Sequence, residues 1–470
     1  MKITKLYAAF SLIALGNLGQ AQSKIEPYVD ERVELLSSIF RLIEADEYSD
    51  KNNALYAEDI EKHFGSFKNS EFLTKLKKER NEDGLGYDAV MSMAVNLKIK
   101  NGTLSLLDPK RKSLDKRWKT EKLPAFLKDL NQFYKTSKFN QFYKDHQADY
   151  HQAGKAFSDS VLVKLNQEWY PKFYGKQPNE DFKVVIGYGN GGGNYGPRVI
   201  QDNEKDQVYA IVSGGNFEGR TLIYTSSYAP TLIHEFNHSF VNYLLENPEY
   251  QRKLEKSGNE ILEAVRQPMK DQAYGDWKTL INESIVRAAV IVYMKENHFS
   301  EKEIKAEMKE QLKRRFVWTH ELVELLEQYQ ANRKEYPSLE SFYPNIVAFF
   351  QLVAMNVNKM VSKYEAKLPK VKSVSPDING KNDVDPNLKE MIIYFDKTLI
   401  GNQMSINIGS LGREGVPIKN RPVYIDNNNA LKIELGMKPN TEYEFILVGK
   451  KFESIDGYPL QDYVIKFKTK

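Results

Sequence analysis

The chain has 470 residues, which is enough for two or three domains rather than one. Hydrophobic residues make up 41% of it and aromatic residues 12%, so it can fill real cores, and this excludes a disordered chain. The formal net charge is +4, with Lys and Arg scattered among Asp and Glu. Such a balance provides no basic footprint for nucleic acid, and we expect no nucleic-acid partner.

The N-terminus has the pattern of a signal peptide over residues 1–21. Lys2 and Lys5 form a basic start, an apolar run covers residues 6–15, and a Gly-Gln-Ala cleavage site follows. The mature chain is therefore predicted to begin at Gln22, in the periplasm or outside the cell. No later stretch of about 20 apolar residues predicts a membrane-spanning helix. Because the chain has no cysteine, disulfides are excluded and stability must come from buried apolar surface.

Residues 22–180 are predicted to be mainly helical. Apolar residues recur there at helical spacing, between charged residues, over 33–42, 87–97, 123–142 and 156–169. The aromatic side chains of this region are most simply core residues.

Residues 181–366 mix strands with helices. Strands are predicted over 184–186, 208–212 and 221–224, and helices follow as far as about residue 364. A glycine-rich stretch, residues 187–196, lacks the Gly-Lys-Ser/Thr ending of a phosphate loop, so it is expected to be a flexible hairpin loop near the functional cleft. We hypothesise that strand 208–212 is an edge strand to which an extended peptide could pair.

A His-Glu-x-x-His motif at residues 234–238 lies on a strongly apolar predicted helix. Because residues four apart share a helix face, His234 and His238 can present both imidazoles to one ion. Glu235 projects to the side, where it can act on a water molecule as general base. The other residues of the segment 231–240 carry no charge, so burying this group without a metal ion would be costly. Two neutral nitrogen ligands suit Zn²⁺, which needs a third protein ligand and an open position.

The third ligand must come from elsewhere in the chain, and Glu283 is the best candidate. It lies on a second apolar helix, where an acidic residue is expensive to bury unless it is coordinated or paired, and Arg287 could hold its outer oxygen. Two alternatives stay open. Glu260 lies in a charged, solvated-looking stretch, and Asp271 opens Asp-Gln-Ala-Tyr-Gly, half of the pattern of zinc proteases with an aspartate ligand.

The motif at residues 234–238, with Asn282 and Glu283 downstream, resembles the gluzincin group of zinc peptidases. The wider stretch, about residues 25–365, looks like an exported bacterial family of unknown function that carries this motif and often ends in an immunoglobulin-like module. The resemblance implies a multidomain α+β protein: a zincin-like, mostly helical catalytic region with a small β-sheet, whose core is residues 181–366. An acidic pair that usually follows the ligand glutamate of gluzincins is not evident, and Arg287 stands nearby instead.

The tail, residues 367–470, is different in kind. Short alternating runs over 391–395, 431–435, 443–448 and 463–467 are separated by turn-forming residues, which predicts an all-β sandwich. The tail is similar to bacterial immunoglobulin-like domains, and that resemblance implies a spacer or a module that binds a surface partner.

These features predict a secreted zinc-dependent peptidase that hydrolyses a peptide or protein substrate. The alternative is a catalytically inactive, zincin-fold binding protein of the surface or periplasm. A closed structural zinc site would need a fourth ligand, which the sequence does not reveal. An oxyanion stabiliser is also expected, and its candidates are Tyr274, Tyr329, Tyr343 and His320.

Overall fold

The computed structural model describes residues 25–49, 52–178, 180–202, 205–213, 215–272 and 274–470. The predicted signal peptide and the predicted start at Gln22 lie outside these residues. Within them the protein is a multidomain α+β structure, about half helical, with several small sheets. None of the helices in this part of the chain has the length and apolar character needed to cross a membrane.

The chain divides into two compact units. The first comprises the described residues up to Asp159 together with Asp181–Tyr224, and the second comprises Ser160–Glu180 together with Thr225–Lys470. The domain boundaries placed from the sequence at residues 181 and 367 stay predictions.

The first unit contains most of the helices of the N-terminal half and three small sheets. Its helices are α1 (Glu31–Leu42), α2 (Ala54–Phe64), α3 (Glu71–Asp83), α4 (Asp88–Asn96), α5 (Leu123–Thr136), α6 (Phe139–Asp145) and α7 (Gln147–Ser160), which ends at the boundary. Its strands are β1 (Leu97–Lys100), β2 (Thr103–Leu106), β3 (Glu180–Ile186), β4 (Arg198–Val199), β5 (Asp206–Val212), β6 (Asn216–Glu218) and β7 (Thr221–Ile223). Strands β1 and β2 pair, β6 and β7 pair, and the third sheet has the order β3–β5–β4.

Three expectations for this region are wrong in detail. The helix expected over 123–142 is interrupted, because Lys138 takes a positive φ of 54° between α5 and α6. The helical pattern over 156–169 is also broken, since α7 ends at Ser160 and the next α-helix starts at Trp169. Strand β5 lies between β3 and β4, so residues 208–212 are not the edge strand of our hypothesis.

The second unit begins with a short helix, and a helical bundle and a β-rich tail follow. Its helices are α8 (Trp169–Tyr174), α9 (Ala229–Val241), α10 (Pro248–Ala264), α11 (Arg266–Lys270), α12 (Trp277–Glu296), α13 (Glu301–Lys313), α14 (Thr319–Ala331) and α15 (Leu339–Glu365). Helix α12 is buried along most of its length and contacts α9, α10 and α14. A helix that is apolar on all sides is stable only inside a bundle, and α12 forms the centre of this one.

The tail of the second unit forms two antiparallel sheets that share one hydrophobic core. Its strands are β8 (Val371–Ser375), β9 (Glu390–Phe395), β10 (Ile406–Ile408), β11 (Val423–Ile425), β12 (Ala430–Glu434), β13 (Glu442–Leu447) and β14 (Tyr463–Lys468). The sheet orders are β11–β12–β9–β8 and β10–β13–β14. Alternate residues of both sheets enter the core, among them Ile393, Ile433, Phe445 and Ile465. This alternation explains the period-two pattern of the sequence.

The tail also contacts the helices of its own unit. The Lys313 ammonium lies 2.9 Å from a carboxylate oxygen of Glu453, and Lys309 donates to the carbonyl oxygen of Asp456 at 3.0 Å. The rings of Tyr364 and Tyr458 meet edge to face, with centroids 5.8 Å apart. All three tail residues belong to the connection between β13 and β14, so one loop contacts both α13 and α15.

Candidate metal centre

Helix α9 carries the His-Glu-x-x-His motif. The packing of its apolar face fixes the orientation of the helix. The helix tolerates a proline in its first turn, because that residue needs no intrahelical hydrogen-bond donor. On the buried side, the Phe240 ring stacks on Tyr170 and Tyr174 at centroid distances of 5.5 and 4.6 Å. With that face held, His234 and His238 project together from another side of the helix.

Three side chains converge there. The Nε2 atoms of His234 and His238 are 3.1 Å apart. One carboxylate oxygen of Glu283, on α12, lies 3.5 Å from His234 Nε2, and the other lies 3.5 Å from His238 Nε2. These three residues could hold a metal ion.

The ligand atoms are close enough to one another to share one small ion. Bonds of about 2.0–2.1 Å at tetrahedral angles place neighbouring ligand atoms about 3.3–3.4 Å apart. The two Nε2 atoms, 3.1 Å apart, are near that value, whereas the two separations of 3.5 Å belong to different oxygens of Glu283, Oε2 beside His234 and Oε1 beside His238. Two imidazole nitrogens and a carboxylate oxygen also form a donor set that suits a divalent transition metal. The three residues therefore provide a donor set for one ion, with the carboxylate facing one imidazole through each of its oxygens.

Two further residues hold the carboxylate of Glu283 through Oε2, the same oxygen that lies 3.5 Å from His234 Nε2. The Tyr274 hydroxyl donates to Glu283 Oε2 at 3.0 Å, and Arg287 Nη2 lies 2.8 Å from the same oxygen. Arg287 also donates to the Tyr274 hydroxyl at 2.7 Å and, through Nη1, to Gln311 Oε1 at 3.0 Å. Burial opposes ionisation of Glu283, but the Arg287 guanidinium and the hydrogen bond from Tyr274 favour it, and its pKa is held below the ordinary value. The carboxylate is thus kept charged and oriented.

The histidines are oriented by groups on their own side of the site. His238 Nδ1 lies 3.1 Å from the Asn242 amide oxygen, which accepts a hydrogen bond and leaves the Nε2 lone pair facing Glu283. Burial lowers the pKa of His234 well below its ordinary value, which favours the neutral ring that can act as a ligand. Asn237, between the two, donates to the Val286 carbonyl oxygen at 3.2 Å and ties α9 to α12.

Glu235 is half-buried and is not one of the three converging residues. Burial raises the pKa of its carboxyl, and His238, Glu283 and Arg287 act on it electrostatically. Glu235 is thus a neighbour of the group in the sequence and not a member of it.

The alternatives for the third ligand lie apart from this group. Glu260 is exposed on α10, 3.9 Å from the Lys256 ammonium, and exposed Asp271 accepts from Gln267 Nε2 at 2.7 Å. The Asp-x-x-Tyr-Gly run contributes its tyrosine instead of its aspartate, since Tyr274 binds Glu283.

Of the four candidates for oxyanion stabilisation, Tyr274 alone contacts a converging residue in the described structure. Tyr329 donates its hydroxyl to the Phe173 carbonyl oxygen at 2.5 Å, and Tyr343 is fully buried. His320 is exposed, 3.4 Å from Glu324. Sequence reasoning missed Gln311 and Asn242, because nothing in their local pattern marks them.

A model of a protein family, described as a domain of unknown function (DUF4932), matches residues 25–349. The chain belongs to this family. The family's description names no activity, so it leaves the chemistry of the site open. The match includes all three converging residues, Glu235 and the supporting residues Tyr274, Arg287 and Gln311.

The other comparisons are distant. The crystal structure of the S-layer protein rSbsC(31-844) matches at 13% identity and a TM-score of 0.16, over 84% of this chain and 45% of that one. The structure of surface layer protein SbsC, domains 1–6, matches at 14% identity and a TM-score of 0.17, with the same coverage. The chain therefore spans less than half the length of these two proteins. No curated protein matches it.

Proposed function

We propose that this protein is an exported zinc-dependent peptidase that hydrolyses peptide bonds with Glu235 as general base. The observation that carries the proposal is the convergence of His234, His238 and Glu283, in which the two Nε2 atoms are 3.1 Å apart and each lies 3.5 Å from one oxygen of the carboxylate. Glu235 follows the first of these residues directly, so the candidate base shares α9 with two of the three residues that could hold an ion.

The donor set supports a transition metal such as zinc over magnesium or calcium. Imidazole suits zinc, copper, iron and nickel, whereas magnesium and calcium prefer sites made of oxygen alone. Among the described residues the group has three members, and three protein ligands with a fourth open position are typical of catalytic zinc sites. A structural site would be closed by four protein ligands, so this arrangement favours catalysis.

The residues of the site then have distinct roles. When bound, zinc would supply a Lewis acid at the open position. His234, His238 and Glu283 would hold it, while Tyr274 and Arg287 keep the Glu283 carboxylate in place. The Glu235 carboxylate takes a proton from the attacking water and delivers it to the nitrogen of the leaving amine.

The decisive experiment combines metal analysis with a peptide-library digest. We expect one zinc per chain in the wild type and in Glu235→Gln, but cleavage by the wild type only. Glu283→Ala should lose zinc, whereas Asp271→Ala and Glu260→Ala should retain it. A wild-type protein without stoichiometric zinc would refute the zinc proposal. Equal, zinc-independent cleavage by wild type and Glu235→Gln would refute the role of the base. Zinc binding with no cleavage would favour the inactive binding protein.

We propose in addition that the tail is an immunoglobulin-like sandwich and that the protein is exported. Two antiparallel sheets around one core support the first point. The second rests on the sequence of residues 1–21. N-terminal sequencing of protein recovered outside the cytoplasm should give a chain that begins at Gln22, and an uncleaved cytoplasmic chain would contradict export.

A further inference from the structure

A groove of about 660 Å³ opens in the second unit, between the start of α14 and the C-terminal half of α15. Its lining is mainly apolar and includes Leu312, Val317, Phe349, Leu352, Val353 and Met360. The groove shares no residue with the candidate metal centre. Leu352 is 60% exposed and contributes its apolar side chain to this lining.

The α15 wall of the groove has a regular spacing. Residues 349, 352, 353, 356 and 360 follow one another at intervals of one, three or four, so they form one stripe along the helix. Such a stripe is the surface into which the apolar face of another helix fits, with contacts at one anchor per turn.

A row of lysines borders this stripe. Lys359, Lys363 and Lys367 line the groove at intervals of four residues, and all three are exposed. Lys359 and Lys363 stand one turn apart on α15, about 6 Å along its axis. Lys367 follows the end of the helix, with its ammonium 5.7 Å from the centroid of the Tyr458 ring. No acidic side chain among the described residues pairs with Lys359 or Lys363. Glu321, across the groove, is the acidic residue of the lining.

We propose that this groove is a docking site for an amphipathic α-helix of another protein, with an acidic row beside its apolar face. Carboxylates four residues apart on the partner would match lysines four residues apart on α15. An amphiphile with a single charged head, such as a long-chain carboxylate, would engage one lysine and leave the others unmatched. The length of the positive row therefore favours a partner with repeated negative charges.

Binding is measured with a defined probe, a fluorescein-labelled helical peptide of about 18 residues made of Leu, Ala and Glu. Its leucines lie on one face and its glutamates follow at intervals of four. A twin peptide carries Lys in place of every Glu. The host is the full chain with Glu235→Gln, in the presence of a chelator, so that the outcome does not depend on the metal centre or on cleavage.

We expect the acidic peptide to bind and the basic twin to bind at least tenfold more weakly. The pair Lys359→Glu and Lys363→Glu should weaken binding at least tenfold, and Leu352→Gln about fivefold. The matched controls are Lys334→Glu, an exposed lysine away from the lining, and Met355→Gln, which is 80% exposed on the same helix but outside the groove. Both should bind like the parent.

Three results would overturn the proposal. The first is no binding of the acidic peptide, and the second is binding that the groove variants and the controls change equally. The third is capture of palmitate or of phosphatidylglycerol vesicles, lost in the groove variants, with no binding of the peptide. That outcome would assign the groove to a lipid instead.

Discussion

Replacement of Arg287 by methionine tests the electrostatics of the candidate metal centre. The Arg287 and Glu283 side chains are 6% and 9% exposed, and their charged groups are 2.8 Å apart. Arg287→Met keeps much of the apolar bulk but leaves a buried carboxylate without its cation. Breaking such a buried pair costs about 3–5 kcal/mol. For a folding unit of this size, 1 kcal/mol corresponds to about 2–4 °C, so the transition of the second unit should fall by about 10 °C.

Differential scanning calorimetry in the presence of a chelator measures this shift, and a double-mutant cycle isolates its cause. In Glu283→Gln with Arg287→Met both charges are gone, so the double variant should unfold at a higher temperature than Arg287→Met alone. Arg287→Lys retains the positive charge but not the planar guanidinium group. Its unfolding temperature should therefore lie between those of the wild type and Arg287→Met. A transition of Arg287→Met within 2 °C of the wild type would refute the reasoning. Additive changes in unfolding temperature across the double-mutant cycle would also refute it.

Three further predictions concern single substitutions. Tyr274→Phe removes the hydroxyl that orients the ligand glutamate and should weaken zinc binding about 10–100-fold by competition titration, whereas Tyr329→Phe should not. Burial raises the pKa of Glu34 to about 7, above its unfolded value, so its contribution to stability is complete below about pH 4.3 and is lost as the pH rises to 7. In Glu34→Gln, the free energy of urea unfolding should fall by about 3 kcal/mol less than in the wild type over this pH range. An unchanged pH dependence would contradict the assignment. Gly191→Ala should cost about 3 kcal/mol in urea unfolding, because its φ is 75° and the added Cβ would overlap a backbone carbonyl. Gly219→Ala, at φ 63° with open space around it, should cost about 1 kcal/mol. If the two substitutions cost the same stability, the overlap at residue 191 is relieved by a shift of the backbone.

The sequence predicts the converging residues because their chemistry is local. Helical periodicity alone places His234 and His238 on one face, and the apolar neighbours of Glu283 indicate a buried carboxylate that needs a partner. Tyr274 and Gln311 could not be assigned in this way. They come from the segment before α12 and from the end of α13, and only the packing of the bundle brings them to Arg287.

The fold shows the same division between local and long-range information. The pattern over 33–42 predicts most of α1, which runs from Glu31 to Leu42. The alternating runs of the tail coincide with β9, β12, β13 and β14, but the short strands β10 and β11 have too few residues for a period to emerge. The position of β5 between two neighbours was also out of reach, because a strand's own residues do not specify how many of its edges are paired.

The contacts of the β13–β14 connection join the tail to the helical bundle of the second unit. Residues 453–458 brace α13 through Lys309 and Lys313, and α13 ends just past Gln311, which supports Arg287. A chain truncated at the end of α15 would therefore release the helix that backs the arginine of the metal centre. The β-rich tail and the bundle should accordingly unfold in one cooperative step. A protein engineer who exchanges the tail should therefore exchange α13 with it.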